Sequence, residues 1–191
     1  MKWCRRCTLL LVFVVACGGQ VVKPLDPRDT TLPMESRRLL SDVEDGILVA
    51  RAQLDGARRR LEQTRQTRDE LLASERWGRD VGLRKGLDQL FDARLSMGES
   101  HVDVAKWGLR YAEVKYQLVT AERAMLHDLG RYDLQPLRAE VDGVRDRLDE
   151  AQGELQRMQD RLAATTRSFW QQYATLAGRS RAGTQPFWVG P

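Results

Sequence analysis

The chain has 191 residues, of which 42% are apolar, 30% charged and 7% aromatic, with six prolines and a formal charge of +4. That composition suits one ordinary domain or one long helical assembly. Three of the 31 basic residues, Lys2, Arg5 and Arg6, stand ahead of an apolar run; without them 28 bases face 27 acids, and the case for nucleic-acid binding disappears.

The N-terminus reads as an address. Residues 1–8 carry the three positive charges and residues 9–16 form an apolar run of eight, the charged-then-apolar order of an export signal. At about 1.5 Å of rise per residue the run covers about 12 Å of a hydrocarbon core of about 30 Å, too little for a permanent span. It ends in Val14-Val15-Ala16-Cys17, followed by Gly18-Gly19. These residues, about a tenth of the chain, resemble the lipobox signal of bacterial lipoproteins. The resemblance implies that residues 1–16 are a signal peptide that is cut away. It also implies that the Cys17 sulfur receives a diacylglycerol and that the new amino group of Cys17 is acylated with a fatty acid such as palmitate. Two or three acyl chains anchor stably, because each buried methylene contributes about 0.8 kcal/mol. In that family the absence of aspartate at position 18 implies the outer membrane, with the protein facing the periplasm; the inner membrane and the cell surface are the alternatives.

Cys4 and Cys7 form a C-x-x-C inside the segment to be removed, and no second pair or nearby histidine completes a zinc site. Cys17 is then the last cysteine. A mature chain without an internal disulfide must hold its shape by packing.

Past Cys17, residues 17–32 are poor in large apolar side chains and contain Pro24 and Pro27, with Pro33 next, which predicts an extended tether. One spacing then dominates. Leu40, Val43, Ile47, Ala50, Leu54, Ala57, Leu61, Thr64, Arg68 and Leu71 alternate three and four residues apart, the seam that lets a helix face a partner, and predict a helix over 33–76. Leu83, Leu87, Leu90 and Met97 give a shorter apolar face punctuated by Gly78 and Gly98. Ser100-His101-Val102-Asp103 has the form of a capping box, and Val104, Trp107, Tyr111, Val114 and Leu118 resume the seam, predicting a helix over 101–129. The middle stretch thus reads as one broken helix. Gly130 predicts a stop and Asp133 a cap, and Leu137, Val141, Val144, Leu148, Leu155, Leu162 and Phe169 predict a helix over 134–178. The fold expected is all-α, an elongated antiparallel bundle or coiled coil of three long helices, or of four if the break in the middle leg is a true turn. The bundle spans 33–178, with a flexible tail over 179–191.

No nucleophile elbow, phosphate loop, Rossmann glycine pattern or H-E-x-x-H occurs, and the two histidines, His101 and His127, are too far apart for a helical metal pair. The sequence therefore gives no cofactor beyond the lipid on Cys17, no metal and no catalytic residue. Two constellations stand out. Arg68 sits on the seam where an apolar residue is expected. An antiparallel turn near Gly78 sets Asp88 opposite it, and Thr165 falls at similar height on a parallel third helix. These residues form either a register-setting polar layer or an opening of the seam to solvent. The aromatics Trp77, Phe169, Trp170 and Tyr173, with Phe187 and Trp188 in the tail, are expected at the bundle end remote from the tether. There Trp77, Trp170, Phe187 and Trp188 either bind a partner or close the core. The function these features imply is a non-catalytic spacer, docking or scaffold lipoprotein of the cell envelope, bound to the membrane by its acyl anchor and to one or more envelope proteins. The alternatives are a subunit of a larger envelope, export or efflux-type complex that completes a coiled coil with another chain, and, more distantly, an envelope enzyme with no recognisable motif.

Overall fold

The structure, a computed structural model, describes residues 21–74 and 81–180, with side chains as far as residue 175. Cys17, Trp77, Gly78, Phe187 and Trp188 lie outside the described residues. The described chain is all-helical: α1 is Met34–Ala73, α2 is Val81–Leu126 and α3 is Leu134–Ser180, of 40, 46 and 47 residues. No helix among the described residues is long and apolar enough to cross a membrane.

The described residues divide into two compact units, 21–44 with 114–141, and 45–74 and 81–113 with 142–180. In the first, the start of α1 packs against the end of α2 and the start of α3, around buried Leu40, Val114, Ala121, Ala124 and Leu137. α1 and α2 are antiparallel: Ser36 meets His127, whereas Glu44 lies beside Tyr116. Asp133 caps α3 by accepting a hydrogen bond from the backbone N–H of Gln135 at 3.0 Å. The stop of α2 differs from the expected one. Leu129 N–H bonds the Ala124 carbonyl (2.8 Å) and Asp128 N–H bonds that of Met125 (3.3 Å), the paired reversal that closes helix ends around a left-handed residue. That residue is Asp128 (φ 54°), and no described glycine has a positive φ. Aspartate tolerates this region better than most side chains, so Gly130 is not needed for it.

The segment read as a tether is laid against this unit from residue 23 on. Lys23 N–H donates to the Tyr132 hydroxyl (3.3 Å), and Leu32 is buried at 4% exposure. Asp29 accepts from the Thr31 N–H (2.9 Å) and hydroxyl (2.7 Å), which holds its carboxyl below the usual range and shapes the turn that enters α1.

The second unit has two apolar clusters. One joins Leu87, Leu90 and Phe91 of α2 to Phe169 of α3, with Leu71, Leu72, Trp170 and Tyr173 packed against it. The other joins Leu54 and Ala57 of α1 to Val102 of α2. Each fully buried large side chain contributes about 1.5–3 kcal/mol. The helix pair is antiparallel here too, since Arg68 meets Asp88, Arg65 meets Glu99, and Leu61 meets Gly98.

α2 runs unbroken through Gly98 and Ser100, so the expected break and capping box are absent. Gly98 serves proximity instead. A Cβ there would lie 3.0 Å from Leu61 Cδ1, and a helix absorbs such a glycine at about 1 kcal/mol. Gly86 is tighter still, with a Cβ reaching 2.8 Å from Gln172 Oε1 and 3.3 Å from the ring of buried Phe169. Gly46, Gly143 and Gly153 face open space.

Backbone substitutions therefore separate by site. Gly143→Ala, Gly153→Ala and Asp128→Gly should each raise stability by about 0.5–1 kcal/mol in urea unfolding, whereas Gly86→Ala should lower it by about 1 kcal/mol or more. Equal gains at all four positions would contradict the close approach at Gly86.

Candidate functional site

The structure brings Arg68 and Asp88 together. Arg68 Nη2 lies 2.6 Å from Asp88 Oδ1 and 3.1 Å from Asp92 Oδ1, an ion-pair cluster from α1 to α2. The hydrogen bond to Asp88 holds the guanidinium above its ordinary pKa. Arg68 keeps 28% side-chain exposure and Asp88 45%, so the cluster is lit by solvent, not a buried layer. Thr165 lines the same cavity as Asp92 of this cluster. Its hydroxyl donates to the Arg161 carbonyl one turn back in α3 (2.9 Å), the local bond that helical threonines commonly make.

Of the aromatics, Phe169 is buried at 1% exposure. Trp170 is half-buried and stands edge-on to Phe169 (6.0 Å, 66°) and to Tyr173 (5.8 Å, 89°). Trp170 and Tyr173 pack against the Leu87–Phe91 cluster, to which Phe169 itself belongs.

Two arrangements were not anticipated from sequence. In the first unit Ser36 Oγ and His127 Nε2 are 2.8 Å apart, with the donor set by the imidazole tautomer. This resembles a nucleophile beside a base, but Ser36 is only 2% exposed, so no substrate reaches its oxygen while the helices stay packed. It serves as a satisfied polar contact in the core.

The second arrangement is a groove in the second unit, where all three helices contribute side chains around a cavity of about 540 Å³. Ala57, Leu61, Phe91, Met97 and Leu162 supply apolar walls; Arg60, Arg94 and His101 supply the ionisable groups, and no carboxylate lines it. Arg94 stacks over the Phe91 ring, its guanidinium carbon 5.6 Å from the ring centre, and burial pulls its pKa down. Burial, then the charge of Arg60, pushes His101 below its ordinary value of 6.5. Thr64, Thr67 and Thr166 line the same space with their hydroxyls donating to carbonyls of their own helices, at 2.9, 2.9 and 2.7 Å. Chemically the groove can hold an anion and an apolar body together. Among the described residues no group of three or more His, Cys, Asp or Glu is placed to bind a metal.

A sequence signal for this groove existed. The antiparallel folding that sets Asp88 opposite Arg68 also sets His101 near Arg60, but the third wall comes from α3, whose rotation the spacing leaves undefined.

Comparison of the chain with protein-family models, with curated proteins and with solved structures finds no match.

Two measurements test this geometry. In a double-mutant cycle, Arg68→Ala and Asp88→Ala should couple by about 0.3–1 kcal/mol, the worth of a solvent-lit pair, while a coupling of about 3 kcal/mol or more would mark a buried one. For His101 the folded-state pKa lies below the unfolded 6.5, so below that pH the unfolded chain binds more protons and stability falls. Arg60 from α1 and Arg94 on α2 are the charged groups sharing its cavity, and α3 adds none there. His101→Gln should remove this loss between about pH 6.5 and 5, read as the difference between variant and wild-type urea midpoints.

Proposed function

We propose that this chain is a lipid-anchored helical protein of the bacterial envelope, held at the outer membrane through Cys17 and facing the periplasm. It works as a spacer or docking scaffold without catalysis of its own. The observation that carries this reading is the order of residues 1–19: three positive charges, eight apolar residues, then Val14-Val15-Ala16-Cys17-Gly18-Gly19. The acyl chains are the attachment and confine the protein to the membrane plane, which raises its effective concentration toward envelope partners. The helices present the docking face on their surface, and the Arg68–Asp88 pair is one of the contacts between α1 and α2 there.

Adjacent apolar side chains favour a second reading, a subunit of a larger envelope, export or efflux-type complex. Leu48 and Val49 on α1 are 61% and 56% exposed, and two such neighbours suit a helix from another chain.

Metabolic labelling with radioactive palmitate should mark the wild-type protein in the membrane fraction and leave Cys17→Ser unlabelled; an unlabelled wild type overturns the anchor. Light scattering on the detergent-extracted native protein separates the two readings, since the mass of one chain favours the spacer and a stoichiometric second chain favours the complex.

A further inference from the structure

We propose, building on the acyl anchor at Cys17, that the end of the first unit where α1 begins and α2 stops lies on the lipid surface itself. Met34, Leu126 and Leu129 are then seated just below the headgroups.

Three segments converge at this end. The 2.8 Å contact between Ser36 and His127 holds the start of α1 beside the end of α2. The 3.3 Å bond from the Lys23 N–H to the Tyr132 hydroxyl brings the incoming chain to the turn between α2 and α3. The large apolar side chains that the unit exposes belong to the same three segments. They are Val21 on the incoming chain, Met34 (76% exposed) on α1, and Met125, Leu126 (63%) and Leu129 (55%) at the stop of α2. Among the described residues the unit exposes no large apolar side chain elsewhere. A patch gathered in this way marks a contact surface.

Chain length names the occupant. Cys17 precedes Lys23 by six residues, and an extended chain covers at most about 3.3–3.6 Å per residue, so an acylated Cys17 lies within about 20–22 Å of the Lys23 amide. The bilayer that holds those acyl chains is therefore kept within reach of the patch, whereas a dissolved partner or a second copy has first to arrive by diffusion. Charge is consistent with a lipid surface of either kind. Between Met34 and Arg37 and between Met125 and Arg131, Glu35 and Asp128 are matched by Arg37 and Arg131, beside His127 with its bond to Ser36. With no excess of either sign from these four, attraction comes from apolar burial at the interface, and a zwitterionic lipid suffices.

The test uses the native acylated protein, extracted in detergent and reconstituted into phosphatidylcholine vesicles with or without bromine on the acyl chains near the headgroup. An environment-sensitive thiol probe is attached in turn at Met34→Cys, Leu126→Cys, Leu129→Cys and Lys115→Cys. The last is an exposed position of the same unit, about 16 Å along α2 from Leu126. All four variants should keep wild-type helicity, because each position is exposed. Emission from 34, 126 and 129 should be largely lost in the brominated vesicles, and that from 115 retained. Protein that separates from the vesicles overturns the anchor and this inference with it. Attached protein whose probes at 126 and 129 are quenched no more than at 115 overturns this inference alone. So does attached protein whose probes there are shielded from water without quenching, as a second copy or another protein would leave them.

Discussion

Helices of 40 residues and more, in a chain with three charged residues in ten and a mean hydropathy of −0.50, have little to hold them in water except one another. Each carries only a narrow apolar line, and nucleation and charge leave such a helix marginal by itself. In each unit the lines face inward, and among the described residues the fully buried large side chains are few: Phe91, Phe169, Leu40, Leu87, Leu90 and Val114. The fold therefore leans on close approach as much as on bulk. Phe169 fills its place because Gly86 across the interface has no Cβ, and Leu61 lies against Gly98 for the same reason.

That constraint explains where the sequence could be read and where it misled. The three-four spacing located α1 and α3 to within a few residues, because spacing reports a helical face directly. Gly98 and the Ser100 sequence looked like punctuation, but a glycine's local cost and its tertiary use carry the same letter. Only the position of Leu61 distinguishes a stop from a contact. At the end of α2 the error ran the other way: Gly130 looked like the reversal, yet Asp128 takes the left-handed conformation. The proline-rich approach to α1 read as an extended tether because proline signals extension, which says nothing of what an extended segment lies on. Here it lies on Tyr132 and ends in buried Leu32.

The site was legible in part for the same reason. Pairing Arg68 with Asp88 needed only the direction of α2 relative to α1 and an approximate turn, both of which the sequence supplies. Thr165 shares a cavity with Asp92 while its hydroxyl bonds its own helix, and spacing does not encode that local bond. Ser36 and His127 are 91 residues apart, and no pattern in either helix announces their contact.

One consequence of the register bears on the groove. Sliding α1 against α2 antiparallel sets Arg68 against Asp88 and Asp92, and Arg65 against Glu99, so that each base meets an acid. The same slide sets Arg60 near His101, base against base, in a space where α2 adds Arg94 and α3 adds only uncharged residues. Burial and the Arg60 charge both disfavour the protonated imidazole, so this cavity lowers the pH at which His101 takes up a proton.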